Sequence, residues 1–354
     1  MSKDISKELV EQVREALAQR TPLEIRGTAS KHFYGRTPWG RVLDMRGHSG
    51  IVNYEPTELV LTARAGTRLE ELDRALREQG QMLPFEPPCF GGDGTLGGAI
   101  AAGLSGPQRP WVGSVRDLML GIRLINGKAE HLRFGGEVMK NVAGYDISRL
   151  MAGAMGTLGV ITEVSIKVLP RPDTETTIIL PIDPDSAFPA VEKWYREGLP
   201  VTGSAHDGEH LFLRLAGTRS AVDAGVARAG GKQLEDGEAW WRDLRDQQHA
   251  FFHDDTLPLW RISLPPMISE TGISGPRWHD WNGQLHWQRT ETPSTRIRAA
   301  VAELGGHATQ FRYGDRESEV FHPPAEPLMR LHQRVKQAFD PADIFNPGRL
   351  YTHL

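Results

Sequence analysis

A glycine-dense block over residues 91–103, GGDGTLGGAIAAG, is the feature that most restricts how this chain folds. Glycines spaced this closely let the backbone approach a flat or charged ligand to van der Waals distance, because no Cβ atom is in the way. Two further glycine-containing stretches follow it, Gly144-Tyr145-Asp146 and the longer 156–162 (GTLGVIT). The block therefore predicts a segment that lies directly against a bound ligand, with a glycine-rich surface turn as the alternative.

The block differs from the two common phosphate-binding motifs. A Walker loop ends in Gly-Lys-Ser/Thr, and no such tripeptide occurs in this region. A dinucleotide fingerprint needs G-x-G-x-x-G between a strand and a helix, and residues 92–97 match it by letter. The preceding run 84–90 (PFEPPCF) carries three prolines and is a poor central strand, so the context of that fingerprint is wrong.

Composition narrows the class of protein. A chain of 354 residues with 39% hydrophobic and 24% charged residues predicts a globular protein of about two domains. The net charge of −4 gives no basic footprint for nucleic acid. The single cysteine, Cys89, excludes an internal disulfide and a multi-cysteine iron–sulfur cluster, and it fits a reducing, cytoplasmic location. The charged segment 1–20 is unlike a signal peptide, and no run of about 18 apolar residues is present.

Periodicity and turn residues predict the elements of the first half. Helices are expected at 4–19, 69–79 and 99–102, and strands at 23–26, 41–44, 59–63, 114–125, 129–134 and 160–169. Thr67 with Glu70 three residues on predicts a capping box at the start of the second helix. Asn126-Gly127 predicts a hairpin turn between its flanking strands.

Pro170-Arg171-Pro172 marks a boundary, after which the pattern changes. Strands are expected at 176–180, 210–215, 259–264, 284–288 and 309–313, and helices at 186–197, 218–229, 238–253, 294–304 and 326–339. This alternation predicts a compact α/β domain. The region is rich in tryptophan, which suits either a core or a protein interface.

Three motifs could act together on one ligand. Residues 26–35 (RGTASKHFYG) lie between two predicted strands, and their backbone N–H groups could hold a pyrophosphate in a nest. The 91–103 block could enclose the other side, and 140–150 (KNVAGYDISRL) leads to Gly156-Thr157-Leu158-Gly159. Taken singly, these are an ordinary β–β loop, a surface turn and a glycine-ended helix. Their order along one chain favours a shared ligand.

The chain resembles the vanillyl-alcohol oxidase superfamily, whose members carry a PCMH-type FAD-binding domain. The resemblance covers about residues 20–172 and returns at 339–350. Within the superfamily, the strings 102–111 (AGLSGPQRPW), 113–117 (GSVRD) and 138–146 (VMKNVAGYD) are most similar to the FAD-binding subunits of bacterial glycolate oxidases.

The resemblance implies an α+β fold in which a PCMH-type FAD-binding domain of two α/β subdomains is joined to an α/β cap. The implied boundaries are residues 1–172 for the FAD-binding domain, 173–322 for the cap and 323–354 for a segment that returns to the FAD-binding domain.

The same resemblance implies where FAD would bind. The loop around Ala29 would hold the pyrophosphate, the segment around Gly98 would follow the ribityl chain and the ring, the stretch before Ile161 would contact the adenine half or pyrophosphate, and Asn346 would close the ring edge. Ala29 occupies the place of the histidine that covalent relatives use, which implies non-covalent FAD. The expected cofactor-binding residues are Arg26, Gly27, Thr28, Ala29, Ser30, Thr95, Leu96, Gly97, Gly98, Gly103, Gly144, Gly156, Gly159, Ile161 and Asn346.

The implied function is that of an FAD-binding subunit in a multi-subunit glycolate oxidase or dehydrogenase. Such a complex oxidises glycolate, and in a wider reading D-lactate, to the 2-oxo acid. The expected partners are a related FAD-binding catalytic subunit and an iron–sulfur subunit that passes electrons to an acceptor such as quinone, which would hold the chain at the inner face of the membrane. The alternatives are an autonomous FAD-dependent oxidoreductase for a small hydroxy acid or alcohol and a non-enzymatic assembly subunit.

Catalytic residues are not identified by the sequence. Related 2-hydroxyacid dehydrogenases carry a His-x-Gly-Asp-Gly-Asn-x-His string in the cap, and residues 206–210 (HDGEH) match it only distantly. His249 and His253 lie four residues apart on a predicted helix and could share a metal, although with Trp240, Trp241 and Phe251 nearby a half-buried helix is the favoured interpretation. No metal site is predicted.

Overall fold

The structure is a computed structural model that describes residues 3–92, 94–136 and 146–354. Its helices, in chain order, are α1 Ser6–Gln19, α2 Leu69–Glu78, α3 Leu96–Ala102, α4 Arg109–Val112, α5 Ile147–Met151, α6 Pro184–Arg196, α7 Arg219–Ala229, α8 Gly237–Arg245, α9 Ser294–Glu303 and α10 Glu326–Phe339. None of these helices combines the length and apolar composition that a membrane crossing requires.

Seventeen strands lie between these helices in the described residues. In chain order they are β1 Leu23–Arg26, β2 Arg41–Asp44, β3 Ile51–Glu55, β4 Val60–Arg64, β5 Gln81–Met82, β6 Met119–Ile125, β7 His131–Gly135, β8 Val160–Lys167, β9 Leu169–Pro170, β10 Thr174–Pro181, β11 Val201–His206, β12 His210–Gly217, β13 Lys232–Gln233, β14 Leu259–Ser263, β15 Arg277–Asp280, β16 Leu285–Arg289 and β17 His307–Arg312. The mixed α and β content agrees with the expected fold class.

The first compact unit comprises Met1–Ser105, Gly113–Pro170 and Arg316–Leu354. It contains a five-stranded antiparallel sheet in the order β3-β4-β8-β6-β7 and a parallel pair, β1 with β2. One continuous core of leucine, isoleucine and valine side chains from α1, α2, α3, β4, β6 and β8 holds it together. Burial of these side chains is its main source of stability, because each contributes roughly 1.5–3 kcal/mol.

The second compact unit comprises Gly106–Val112 and Arg171–Asp315. Its eight strands form one antiparallel sheet in the order β13-β10-β12-β11-β15-β16-β14-β17. Leu211, Leu213 and Leu215 alternate along β12 and pack on one face against Phe188 of α6 and Val222 of α7. The assignment of the two units to FAD binding and to a cap stays a prediction.

The predicted capping box at Thr67 is wrong. Helix α2 begins at Leu69 with Arg68 as its N-cap, and no side chain caps it. Thr67 is fully buried, and its hydroxyl instead accepts a hydrogen bond from the N–H of Gly50 at 2.8 Å. The N–H of Gly50 is buried and cannot bond water, whereas N–H groups at an exposed helix end can. The Thr67 hydroxyl therefore bonds Gly50 and does not cap the helix.

The hairpin between β6 and β7 forms, but without a two-residue Asn-Gly turn. The strands are joined by residues 126–130, and the left-handed position is Ala129, with φ of 58°. The carboxamide oxygen of Asn126 accepts from the N–H groups of Lys128 and Glu130, each at 3.0 Å. The first strand also begins later than predicted, because Val115–Leu118 is a 3₁₀ helix.

The helix predicted over 238–253 is shorter than expected. Helix α8 ends at Arg245, and Gln247 has a φ of 58° that no helix accommodates. His249 and His253 therefore flank a separate 3₁₀ turn, Ala250–Phe252, rather than sharing one helix face. The ring of His249 is hydrogen-bonded to the carbonyl of Trp240 at 3.0 Å, as part of the packing.

Most of the seven tryptophans that follow the boundary at residues 170–172 are core residues. Those buried are Trp241, Trp260, Trp278, Trp281 and Trp287, whereas Trp194 and Trp240 are half-buried. Trp240 stacks on Phe212 with ring centres 4.1 Å apart. The core interpretation of this tryptophan-rich stretch therefore holds for five of the seven side chains.

Three histidines are packed beside one another in the second unit. His206 and His286 are fully buried and His279 is 3% exposed, and the ring centres of His279 and His286 are 4.5 Å apart. Each of the three rings uses Nε2 to hydrogen-bond a backbone carbonyl. Burial lowers the pKa of His279 to about 3 and that of His286 to about 4, so both rings are neutral near pH 7.

These histidines are expected to make the fold sensitive to acid. In the unfolded chain their pKa values return to about 6.5, so the unfolded state binds more protons below that pH. The stabilisation is therefore complete above pH ~6.5 and falls as the pH drops toward 4, by about 1.4 kcal/mol per pH unit for each imidazole. Urea unfolding midpoints at pH 7.5 and 5.5 measure this loss. His286→Gln should reduce the loss, whereas His353→Gln, at an exposed position, should not. Equal midpoints at both pH values contradict the prediction.

Candidate functional site

A cleft in the first unit brings three of the sequence motifs together. It lies at the end of β1 and is bounded by the loop after that strand, by α3 and by the C-terminal segment. Its lining residues are Glu24, Ile25, Arg26, Gly27, Thr28, Ala29, Ser30, Lys31, His32, Pro38, Thr95, Gly98, Ala101, Ala102, Met155, Asn346 and Arg349.

The loop after β1 turns its backbone toward this cleft. Ala29 has a φ of 61°, in the left-handed region, and it reverses the chain between β1 and the turn at 30–33. The N–H groups of Gly27, Thr28, Ala29 and Ser30 donate to no other group in the described part of the chain. Successive N–H groups around a left-handed residue form a concave site for an anion.

The charged side chains at the cleft are mostly cationic. Among the described lining residues, Arg26, Lys31 and Arg349 are cationic and Glu24 is the single carboxylate. Glu24 is 8% exposed, and Arg26 holds both of its oxygens at 2.7 and 2.8 Å. Burial, and after it the charge of Arg349, lowers the pKa of His32, which lies 3.5 Å from Glu24. The excess of positive charge suits a phosphate-containing ligand.

Arg349 shapes the far side of the loop. Its guanidinium is buried and donates to the carbonyls of Tyr34 and Arg36 at 2.6 Å and of His32 at 3.2 Å. Arg316 adds bonds to the carbonyls of Gly35 and His32 at 2.9 and 2.7 Å. Burial, then the charge of Arg316, lowers the pKa of Arg349 to about 10, which still leaves it charged at neutral pH.

Gly27 and Thr95 form the contact between the first loop and the glycine-dense block. A Cβ atom on Gly27 would lie 2.4 Å from the hydroxyl oxygen of Thr95, so only glycine fits there. Thr95 is 3% exposed and is the N-cap of α3, where its hydroxyl accepts the N–H of Gly98 at 3.3 Å.

Asn346 joins the remaining motifs to this cleft. Its carboxamide oxygen accepts the N–H of Ile25 at 2.9 Å, and its amide nitrogen donates to the carbonyl of Met155 at 2.6 Å. A Cβ atom on Gly156 would lie 2.7 Å from that amide nitrogen. The glycine at 156 therefore lets the turn before β8 close against the C-terminal segment.

The predicted cofactor-binding residues divide into two groups. Those that line the cleft are Arg26, Gly27, Thr28, Ala29, Ser30, Thr95, Gly98 and Asn346. Those that do not line it are Leu96, Gly97, Gly103, Gly156, Gly159 and Ile161; Gly97, for example, packs on Ala65, where a Cβ atom would come within 2.7 Å of the alanine methyl. Gly144 lies outside the described residues. The role of all these residues in cofactor binding stays a prediction.

Sequence reasoning missed several lining residues. Lys31 and His32 lie in the predicted loop 26–35 but were not among the expected cofactor-binding residues, Glu24 lies two residues before that loop, and Arg349 follows Asn346-Pro347-Gly348. The sequence pointed to Arg349 only through its position in the C-terminal string 339–350, where the family resemblance returns. Nothing in the sequence indicated that it would reach carbonyls more than 300 positions earlier.

Removal of the Thr95 hydroxyl is expected to weaken the site. Thr95→Ala leaves the N–H of Gly98 without its cap and should lower the free energy of unfolding by about 1 kcal/mol. FAD affinity should fall with it, because α3 and the Gly27 loop meet at this side chain. Thr95→Ser keeps the hydroxyl and should remain near wild type. Chemical unfolding and FAD titration check both variants, and equal losses for Ala and Ser would exclude the hydroxyl as the cause.

Comparisons with known proteins agree with this geometry. A family model described as an FAD binding domain matches residues 5–135. The chain is 47% identical to glycolate oxidase subunit GlcE of Escherichia coli over 99% of both chains. It is 31% identical to glycolate oxidase subunit GlcD of Bacillus subtilis, over 94% of this chain and 84% of that protein. Among solved structures, alkyldihydroxyacetonephosphate synthase superposes with a TM-score of 0.67 at 15% identity, over 96% of this chain and 75% of that one.

These relatives show that the chain is an FAD-dependent oxidoreductase, with FAD as its cofactor. Within this class the glycine-dense block, the N–H-rich loop and the C-terminal asparagine belong to a single cleft. The chain belongs to the GlcE family of glycolate oxidase subunits.

Proposed function

We propose that this chain is the FAD-binding subunit of a multi-subunit glycolate oxidase. In this complex glycolate, and also D-lactate, is oxidised to the 2-oxo acid. A related FAD-binding catalytic subunit and an iron–sulfur subunit complete the assembly and pass electrons to an acceptor such as quinone, which places the chain at the inner face of the membrane. The observation that carries the proposal is the 47% identity to E. coli GlcE over 99% of both chains.

The cleft residues fit the cofactor. The N–H groups of Gly27, Thr28, Ala29 and Ser30 have no partner in the described chain, and phosphate oxygens would satisfy them. Arg26 and Lys31 would balance the charge of the pyrophosphate. A glycine-lined wall at Gly27 and Gly98 lets a flat group approach the backbone.

When bound, FAD supplies the capacity to accept two electrons from the substrate. The chain's own residues bind the cofactor, orient it along the first loop and shield its phosphates from water. The attachment is proposed to be non-covalent, because Ala29 offers no nucleophile at the centre of that loop. Acid precipitation should therefore leave all of the flavin in the supernatant, and flavin that stays with the pellet would show a covalent bond.

An anaerobic spectrum of the purified chain tests the function. The isolated chain should show a flavin spectrum that glycolate and D-lactate leave oxidised. The visible absorbance of the oxidised flavin should bleach once the partner subunits are added. The 2-oxo acid product is then measured against a control that lacks this chain. A chain without flavin contradicts the FAD-binding role.

An autonomous oxidoreductase is the second candidate. It is favoured by a D-lactate dehydrogenase of Archaeoglobus fulgidus, which is 30% identical over 82% of this chain and 76% of that protein. Bleaching of the isolated chain by glycolate or D-lactate would select this candidate. In the described residues no group of three or more histidine, cysteine or carboxylate side chains is placed to hold a metal.

A further inference from the structure

Lys336 is an unusual residue for the helix that carries it. Helix α10 is largely exposed, with Leu328 and Leu331 about half accessible, and Lys336 is its one buried residue. The ammonium lies 2.8 Å from a carboxylate oxygen of Asp340 and 2.9 Å from one of Asp343. It also donates to the carbonyls of Thr157 at 2.9 Å and Phe345 at 3.0 Å.

A buried ammonium is retained only where its charge and its donors are satisfied. All of the acceptors around Lys336 belong to two segments, the turn before β8 and the C-terminal residues 340–345. The side chain therefore fixes the distance between these two segments. An apolar side chain could fill the space but could not set that distance, because it forms no directed bonds.

Asp340 transmits this constraint along the C-terminal segment. It is 1% exposed, and its two oxygens accept the N–H groups of Ile344 at 3.2 Å and Phe345 at 2.8 Å. These bonds fold 340–345 into a compact turn. A Cβ atom on Gly127 would lie 2.5 Å from a carboxylate oxygen of Asp340, so the β6–β7 turn packs directly on this turn as well.

Asn346 leaves this turn and enters the cleft. It follows Phe345 directly, and it bonds Ile25 and Met155, both of which line the cleft. A shift of the 340–345 turn would move Asn346 with it, because one peptide bond separates them. The position of the cleft wall at Ile25 and Met155 therefore depends on Lys336 through Asn346.

We propose that Lys336 is a positioning residue for the FAD site, which acts through Asp340 and Asn346 without touching the cofactor. The inference rests on the proposed FAD-binding function of the cleft. It assigns to Lys336, the buried residue of the largely exposed helix α10, an effect on the affinity of the cleft for FAD.

FAD dissociation constants of the apoprotein, from quenching of flavin fluorescence, test this role. Lys336→Met should raise Kd by at least about tenfold. Arg330→Met is the matched control, because Arg330 forms the same i,i+4 pair with Glu326 on the exposed face of the same helix and should leave Kd unchanged. If Lys336→Met does not fold, the double variant Lys336→Met with Asp340→Asn is used, because it removes both charges of the pair. The same rise in Kd is expected for it.

Asn346→Ala completes a double-mutant cycle that separates positioning from general stability. If Lys336 acts through Asn346, the double variant binds FAD no more weakly than Asn346→Ala alone. Additive losses, or a Kd of Lys336→Met within about twofold of wild type, overturn the inference. An unchanged Kd for Asn346→Ala overturns the inference as well. A wild-type chain that binds no FAD refutes the proposed function itself.

Discussion

Gly27→Val is expected to abolish detectable FAD binding. The new Cβ atom would lie 2.4 Å from the hydroxyl oxygen and 3.2 Å from the methyl carbon of Thr95. Thr95 cannot turn away at low cost, because it is buried and its hydroxyl caps α3. The loop after β1 must therefore move outward, and its N–H groups no longer converge on one anion.

The expected effect is a rise in Kd for FAD of at least about 100-fold, roughly 2.7 kcal/mol. Isothermal titration of the apoprotein measures it. Gly217→Val is the control, since a Cβ atom at Gly217 meets nothing closer than 3.6 Å and its φ is not in the left-handed region. A Gly27→Val protein that binds FAD as the wild type does would show that the contact with Thr95 does not shape the site.

Arg349→Met is expected to loosen the loop over residues 31–36 and to weaken FAD binding. The substitution removes a buried guanidinium that holds the carbonyls of His32, Tyr34 and Arg36. Hydrogen bonds from charged donors contribute about 1.5–3 kcal/mol each, so a loss of several kcal/mol of folding free energy is expected. The cleft also loses one of its positive charges.

Thermal unfolding and FAD titration should both report the change. Arg349→Lys keeps the charge but not the planar fork, and it should recover only part of the stability. Arg46→Met is the control, because Arg46 is exposed and, among the residues that the structure describes, pairs only with Asp44. Wild-type stability and affinity in Arg349→Met would contradict the role assigned to this guanidinium.

The elements around the cleft were largely predictable because their signals are local. Strand β1 alternates apolar and charged residues before Gly27, and α3 is a run of mostly small residues after Thr95. β11 and β15 escaped prediction, because Gly203 and Ser204 interrupt the first and the second has only four residues. Both become strands through pairing with neighbours in the eight-stranded sheet, which no local pattern reveals.

The cleft itself was predictable in its motifs but not in its electrostatics. A glycine pattern cannot separate a residue that faces a ligand from one such as Gly103, where a Cβ atom would lie 2.7 Å from the backbone of Gly153. The contacts of Asn346 with Ile25 and of Arg349 with Tyr34 depend on the folded path of the chain. Long-range polar contacts of this kind require the structure.

The first unit is built from three stretches of chain, and the last of them arrives after the whole second unit. During synthesis on the ribosome, β1 and its loop are made early, whereas Asn346 and Arg349 emerge only after the second unit has been made. The cleft therefore remains incomplete until this last stretch has left the ribosome, whatever the concentration of FAD. Flavin loading should be a late step, and a chain stalled before residue 340 should emerge with a folded second unit and no capacity to retain flavin.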